Sequence, residues 1–543
     1  QFGSCPFDSS QEFCCSKSDS RVASMRQQFM HSLRTKLRWL IFSWILACPA
    51  SGSTAARRPN FVYILLDDMN FVLGDEEAVK QTRALIADQG VRATNAFVSS
   101  PKCTPSRSAW LSGRFYHNLR PHAATRGRGL NTTHFFDVDA IFPTLHRNGY
   151  QTALFGKIHN DQASWLCREG GNHTEPFTHI ETECQPCGNY FPKAFVTKTK
   201  DDRYTKMEML EDDDPRTHYS HAQYGNRSTA WIRAAAHRGP FFCFIGTTGP
   251  HLPSSPAPWH EAIAKELNIS APRTPSFNMW ARDHNHLLAT HAALSERVVE
   301  GIDNLMRMRW GTLLSIDDLV AGVVKTLEDV AVLDNTYILF SSDHGYHLGQ
   351  FRIPIEKMLP YDTDIRIPLF IRGPRIKAGT KLDDMVANID IAPTILDFAG
   401  IPVPPIMDGI SMAPILPGAS AGRPFRTHFI SEFAEGVRQT YEPFGLYDEP
   451  QNQWRMLRVI NATHNFAFVE WDQLYMFDNI DFCEYYDLAR DPWQLLNLWN
   501  STSSAMQDSM RAELRAMYSC RGTRTEISNC TNAFYQMESL LEV

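Results

Sequence analysis

Asn60-Phe61-Val62-Tyr63-Ile64-Leu65-Leu66-Asp67-Asp68 carries six apolar, β-prone residues without a break and ends on two adjacent carboxylates. A strand with one wet face would alternate polar and apolar positions, so this run reads as a strand buried on both faces, the habit of a parallel sheet. Comparable runs recur at Thr152 to Phe155, Phe241 to Ile245, Tyr337 to Phe340 and Pro368 to Ile371, with a further strand expected near Val91 to Val98. Helical patterns lie between several of them, over about Glu76 to Gln89 and His291 to Leu327. Such alternation predicts an α/β layer fold with a mostly parallel sheet. After about Pro417 the texture shifts to short runs at Arg455 to Ile460, Asn465 to Glu470 and Leu474 to Phe477, then a helical stretch near Ala505 to Tyr518. That shift predicts a smaller α+β subdomain, an antiparallel sheet packed with a terminal helix. The expected division is an N-terminal extension at 1–56, a large α/β domain at 57–420 and a C-terminal subdomain at 421–543.

The chain of 543 residues has 43% hydrophobic and 21% charged residues, which excludes a disordered, collagen-like or coiled-coil protein. Its 53 Lys+Arg against 60 Asp+Glu leave a net charge of −7. No nucleic-acid partner is expected from that balance, although it leaves room for a local basic pocket. Near the start, Arg34, Lys36 and Arg38 precede the apolar run Trp39 to Ala47 and the small residues Ala50-Ser51-Gly52-Ser53. Basic, apolar and small in that order read as a secretory signal. The run is about half the ~20 residues of a bilayer-spanning helix, so no stable membrane span is expected after cleavage. Residues 1–24 precede the first methionine, Met25, which leaves the natural start open.

Seven sequons, at Asn131, Asn172, Asn226, Asn268, Asn461, Asn500 and Asn529, together favour a glycosylated protein of the secretory pathway, secreted or lysosome-like. Of the twelve cysteines, Cys184-Gln-Pro-Cys187 has no second pair at zinc-ligand spacing, so disulfides in an oxidising compartment are the better reading. Cys520 and Cys530 are a candidate pair. The acidic run Glu211-Asp212-Asp213-Asp214 reads as a solvated loop.

Ligands of open α/β sheets bind at the carboxyl ends of strands, where Asp67 and Asp68 fall. Asp343-His344-Gly345 follows the strand Tyr337 to Phe340 in the same way, and the two segments could complete a shared divalent cation site. Between them lies Cys103-Thr104-Pro105-Ser106-Arg107-Ser108-Ala109-Trp110-Leu111-Ser112-Gly113-Arg114. Thr104 is the expected N-cap and Pro105 the first helical residue, which sets Cys103 at a helix N-terminus, where negative charge is favoured, with Arg107 one turn on.

Cys103-x-Pro105-Ser106-Arg107 with the trailing Leu111-Ser112-Gly113-Arg114 closely resembles the signature of the type I sulfatases. Other segments extend the likeness over most of residues 58–500: Asp67-Asp68, Gly156-Lys157-Ile158-His159, Gly249-Pro250-His251-Leu252-Pro253, Asp343-His344-Gly345 and Lys357. Many members have Asn where this chain has His344. Arg309 to Val320, Gly345 to Phe351 and Ile371-Arg372-Gly373-Pro374 are most similar to N-acetylglucosamine-6-sulfatases, while algal-type arylsulfatases and extracellular endosulfatases share parts of them.

The resemblance implies an alkaline-phosphatase-like three-layer sandwich. It also implies that a formylglycine-generating enzyme converts Cys103 to formylglycine, an aldehyde whose hydrate attacks sulfur. Asp67, Asp68, Asp343 and His344 would hold one Ca²⁺ that also binds the modified Cys103. Arg107 would steady the diol, Lys157 and Lys357 would clamp sulfate oxygens, His251 would protonate the leaving oxygen, and His159 would help draw off the second hydroxyl's proton. Substrates would be sulfated carbohydrates, N-acetylglucosamine 6-sulfate foremost, or aryl sulfates. A phosphoesterase of the same fold would place Ser or Thr as nucleophile, and a dead glycan receptor would have lost some of these residues.

Overall fold

The computed structural model describes residues 57–119, 135–160, 162–167, 174–185, 187–210, 214–285, 291–416, 425–434, 436–473, 477–522 and 530. The leader-like segment and the sequons at Asn131, Asn172 and Asn529 lie outside these residues, as do 211–213 of the acidic run. Described strands are β1 (Asn60–Asp67), β2 (Val91–Phe97), β3 (Gln151–Gly156), β4 (His179–Thr182), β5 (Ala194–Lys198), β6 (Lys206–Met209), β7 (Phe241–Pro250), β8 (Thr336–Ser342), β9 (Leu369–Arg372) and β10 (Thr380–Ala387). They form one sheet in the order β10-β2-β9-β8-β1-β7-β3-β4-β5-β6. Its centre is parallel: β1 pairs with β7 and β8, and β3 with β7 and β4. The short β9 runs antiparallel between β8 and β2, and β5 and β6 extend the other edge antiparallel.

The unbroken apolar run of β1 has a direct cause in the layering. Phe61, Tyr63 and Leu65 enter one core, and Val62, Ile64 and Leu66 enter the other. Successive strand residues point to opposite faces, so a central strand between two helical layers needs an apolar side chain at every position. One core is closed by helix α1 (Cys103–Ser112), through Ala109, Trp110 and Leu111. The other is closed by α2 (Ser220–Ala235) and the 34-residue α3 (Glu296–Asp329), whose Leu313, Ile316, Val320, Val323 and Leu327 recur at helical spacing. Helix α4 (Ile391–Phe398) joins the α1 side.

Beyond β10 come β11 (His428–Phe433), the hairpin of β12 (Gln439–Tyr441) with β13 (Gly445–Asp448), and then β14 (Trp454–Ile460), β15 (Asn465–Trp471) and β16 (Phe482–Asp487). Strands β11, β14, β15 and β16 make the expected small antiparallel sheet, in the order β11-β14-β15-β16. Helix α5 (Ser504–Ser519) follows, with its Met510, Leu514 and Met517 in the same core as the sheet.

Three local expectations are corrected. The stretch expected as a helix over Glu76 to Gln89 is broken into short turns at Asp75–Ala78, Lys80–Thr82 and Arg83–Ala87. The Asp317 carboxylate on α3 accepts hydrogen bonds from Gln81 N at 2.9 Å and Thr82 N at 2.6 Å, which restarts the chain there. Phe477 lies outside any strand and 474–476 outside the described residues, so the fourth strand is β16 instead. Lys102, not Thr104, is the N-cap of α1: the helix begins at Cys103, and its first turn closes with Ser106 N to Lys102 O at 2.9 Å. Pro105 fits because amides of the first turn lack intrahelical partners anyway.

Disulfides join Cys167 to Cys184 and Cys520 to Cys530, the second being the expected pair. Cys187 is an exposed thiol. Among the described residues, no helix is long and apolar enough to cross a membrane.

Candidate active site

Four neighbouring parallel strands, β8-β1-β7-β3, deliver their following residues to one place. Asp67 ends β1, Asp343 follows β8, His251 follows β7 and Lys157 follows β3. This is the carboxyl edge of the sheet, where such folds bind ligands. Two glycines permit the close approach of β3 and β7. A Cβ on Gly156, which sits at φ +72°, would lie 2.1 Å from Gly246 O, and one on Gly246 would lie 1.8 Å from Lys157 O. No side chain fits either position, so the Lys157 turn depends on both.

Asp68 occupies the left-handed region at φ 75°, which an aspartate adopts only when its surroundings hold it there. Its N–H donates to Asp343 Oδ1 at 3.1 Å, and its carbonyl accepts from Arg309 Nη2 at 2.6 Å. Both carboxylate oxygens accept from Lys357 Nζ at 3.0 Å. Arg309 itself is fully buried on α3, bonds Asp75 Oδ2 at 2.7 Å, reaches Pro250 O at 3.4 Å, and lies over the Tyr346 ring. It therefore ties the segment before Met69 to the segment before His251.

Cys103 is 3% exposed. Its Sγ lies 3.5 Å from Asp67 Oδ1 and 3.4 Å from His344 Nε2. Arg107 reaches back one turn: Nε donates to Asp343 Oδ2 at 2.8 Å, Nη1 to Lys157 O at 2.7 Å, and Nη2 lies 3.6 Å from Asp67 Oδ1. Lys157 Nζ is 2.5 Å from Asp67 Oδ2. Lys357 Nζ also meets Glu356 Oε2 at 3.0 Å. Each carboxylate of the trio thus faces a cation: Asp67 meets Lys157 and, at longer range, Arg107, Asp68 meets Lys357, and Asp343 meets Arg107.

These pairings set the protonation states. Burial pushes the Asp67 carboxyl up, but Lys157, His251, Arg107 and Lys357 outweigh it and hold the group well below the usual carboxylate range. Asp68 is likewise lowered, against its burial, by Lys357, His251 and His344. Burial raises the Cys103 thiol, so the unmodified side chain stays protonated and is a poor nucleophile. Lys157, Lys357 and Arg107 are raised despite burial, chiefly by Asp67, Asp68 and Asp343 respectively, and remain cations.

His159 is buried beside this cluster, with Nε2 3.1 Å from Ser108 Oγ on α1. Burial first, then Arg107 and Lys157, lower it to about 3, so the ring is neutral. His251 is half-buried at the open side, and its Nδ1 is 2.7 Å from Leu252 O. A carbonyl only accepts, so Nδ1 carries a proton and Nε2 is the nitrogen left for other partners.

Asp67, Cys103, Asp343 and His344 offer ligand atoms within 4.8 Å of one another, and so do Asp68, Cys103 and His251. Three carboxylates and one imidazole form an oxygen-rich set that suits a hard divalent cation. A buried neutral thiol does not suit such an ion, whereas an oxygen at position 103 would. Every residue singled out from the sequence is therefore brought to this edge, with His159 meeting α1 through Ser108. Three residues escaped that reading. Arg309 and Ser108 were quoted only inside longer runs, and Gln162 had no signal at all. Gln162 Oε1 accepts from Ile158 N at 3.0 Å and its Nε2 donates to Thr182 Oγ1 at 2.9 Å, which fixes the turn between Lys157 and His159.

Compared with known proteins, residues 59–401 match the family described as Sulfatase, and residues 349–519 the one described as N-sulphoglucosamine sulphohydrolase, C-terminal. The N-acetylglucosamine-6-sulfatase of Homo sapiens is 32% identical over 497 residues, which is 87% of this chain and 86% of that protein. The arylsulfatase of Volvox carteri is 28% identical over 536 residues, 89% of this chain and 77% of that one. A solved protein in complex with its substrate D-glucosamine-2-N,6-O-disulfate shares the fold, with a TM-score of 0.62 at 22% identity, over 84% of this chain and 97% of its own.

Proposed function

The chain belongs to the sulfatase family and is a sulfuric ester hydrolase, and from that premise we propose that it removes sulfate from sulfated sugars, N-acetylglucosamine 6-sulfate foremost, using a formylglycine made from Cys103 and one Ca²⁺. The observation that carries the reading is the convergence of Cys103 on Asp67, Asp343 and His344 with Lys157 and Lys357 at the same strand ends. The choice of sugar rests on relatives named N-acetylglucosamine-6-sulfatase at 32% identity over most of both chains. An aryl sulfate is the competing substrate, on the strength of the algal relatives.

Asp67, Asp68, Asp343 and His344 would hold the cation, which when bound neutralises charge on the sulfate oxygens. Hydration of the aldehyde supplies an oxygen nucleophile where the thiol offers none. The chain's own residues do the rest. Lys157 and Lys357, cations paired with Asp67 and Asp68, would hold sulfate oxygens of the substrate. Arg107 fixes the orientation of residue 103 from one helical turn away. His251, half-buried and grouped with Asp68 and Cys103, would donate from Nε2 the proton that the leaving oxygen needs. Neutral His159, held at Ser108 on the helix that Cys103 begins, would accept the proton of the second hydroxyl.

Localisation in the secretory pathway is part of the same proposal. It is supported by the two disulfides and by exposed Asn226, Asn268 and Asn500, with Asn461 half-buried.

The test joins chemistry to substrate. Mass spectrometry of the peptide spanning 103–114 should find the thiol replaced by an aldehyde. The protein should release sulfate from N-acetylglucosamine 6-sulfate faster than from isomers sulfated elsewhere and from a nitrophenyl sulfate, and C103A should release none. An unmodified thiol in fully active protein, or an active C103A, overturns the mechanism. Preference for the aryl ester overturns the substrate.

A further inference from the structure

Trp280 is 46% exposed, which is unusual for so large an apolar side chain. Two arginines approach it: the guanidinium carbon of Arg282 lies 4.1 Å from the ring centroid and that of Arg352 5.7 Å. Arg282 is exposed, and Arg352 spends its donors on backbone carbonyls, Nε on Asn278 O at 3.4 Å and Nη1 on His291 O at 3.3 Å. Among the described residues, neither has a carboxylate partner. The adjacent Asp283 is engaged elsewhere, by His284 Nδ1 at 3.0 Å and Asn497 N at 2.9 Å. Glu449, which acts on His291, pairs with Arg438 at 2.9 Å. A chain of net charge −7 thus keeps two uncompensated cations around one exposed indole.

Arg282, stacked on the indole, keeps its in-plane N–H groups outward in a fork that matches a tetrahedral oxyanion, while Arg352, with Nε and Nη1 engaged, adds its charge and Nη2. The cluster is also anchored to the active site's own backbone. Phe277 pairs with Gln350, Asn278 N donates to Gly349 O at 2.8 Å, and Phe351 N donates to Ser276 O at 2.8 Å. From Arg352 the chain runs through Ile353, Pro354, Ile355 and Glu356 to Lys357. Five residue steps span at most ~18 Å, so Arg352 lies within the reach of an oligosaccharide held at Lys357.

We propose that Trp280, Arg282 and Arg352 form a second sulfate-binding site, which holds a further sulfate group of a sulfated glycan chain whose scissile ester lies at Cys103. The proposal rests on the sulfated-sugar reading of the active site. The second contact makes binding of a long chain partly intramolecular, so it acts on affinity for polymers and leaves the chemistry at Cys103 alone.

Binding and turnover together test it on the full-length chain with W280A and R282E, each checked for unchanged melting; R282E alters an exposed side chain and keeps the test valid if W280A unfolds. Calorimetric titration with a heparin octasaccharide at low salt should show each variant binding about five- to tenfold more weakly than the parent, as for loss of one or two exposed ionic contacts. An octasaccharide of the same backbone without sulfate, which keeps only carboxylates, should bind parent and variants alike. On N-acetylglucosamine 6-sulfate, kcat/KM of the variants should stay within about twofold of the parent.

Equal binding of the sulfated octasaccharide by parent and variants refutes the second site. Equal loss on octasaccharide and monosaccharide also refutes it, because the cluster then belongs to the catalytic pocket. Discrimination on the unsulfated octasaccharide reassigns the contact to carboxylates and refutes the sulfate assignment. A parent that hydrolyses neither substrate overturns the proposed function instead, while the titration still decides the site.

Discussion

Arg309 offers the sharpest separation of a structural from a positioning role. Its guanidinium is fully buried and bonds both the Asp75 carboxylate at 2.7 Å and the Asp68 carbonyl at 2.6 Å. R309M keeps bulk and removes charge, so Asp75 is left buried without its counter-ion, at a cost of about 3–5 kcal/mol in stability. Adding D75N removes the orphaned charge, and most of that loss should return. Activity should not return. In both variants the left-handed Asp68 has lost the donor on its carbonyl, and a misplaced reacting group costs about 10²-fold, or ~2.7 kcal/mol of barrier. Denaturant melts and kcat/KM for sulfate release, measured on R309M and on R309M/D75N, give the two readouts. If the double variant regains activity along with stability, to within about threefold of the parent, Arg309 is only a counter-charge for Asp75 and the positioning argument fails.

Two further outcomes concern Glu183, buried directly after β4, and the carboxylates of the site. Burial raises the Glu183 carboxyl from 4.5 to about 8, against hydrogen bonds from Tyr224 and Asn189. Between those values the folded chain holds a proton that the unfolded chain has released, so stability falls as pH rises through the window, by up to ~1.4 kcal/mol per unit, and levels off above it. E183Q should flatten that slope in melts taken from pH 5 to pH 8; an unchanged slope assigns it to other groups. Chelation should abolish turnover and Ca²⁺ restore it, yet the stripped protein should stay folded, because Asp67, Asp68 and Asp343 each already face a cation. Loss of near-ultraviolet circular dichroism on chelation would contradict that pairing. The melting shift on adding back Ca²⁺ at 100 times its Kd should correspond to about 2.7 kcal/mol.

Much of this architecture could be read in advance where one physical demand governs a whole run. Burial on two faces dictates every residue of Phe61 to Leu66, and the same demand exposed the strands that hold Phe241 to Ile245 and Tyr337 to Phe340. The antiparallel sheet after Pro417 was visible for the opposite reason, through short runs cut by turns. Asp67, Cys103, Arg107, Lys157, His251 and Asp343 were legible because they lie in compact local motifs beside those strands. What escaped depends on contacts distant in sequence. The break at Val79 is imposed by Asp317, 236 residues from Gln81. Arg309 matters through Asp68, 241 residues away, and the run that begins at Arg309 marks a likeness without showing that contact. Thr104 looked like a cap because its side chain suits one, but the backbone turns two residues earlier and Lys102 takes the position.

The scattered origin of the pocket has a temporal consequence. Cys103 meets a histidine 241 residues further along, Lys357 meets an aspartate 289 residues before it, and Arg107 meets one 236 residues after. Local helices and hairpins can form without any of these encounters, but the site cannot, since closing such long loops comes late for a folding chain. Secondary structure will therefore be regained early in renaturation and catalytic competence only with the last long-range docking, which makes turnover a more stringent witness of native structure in this molecule than any spectrum of its helices.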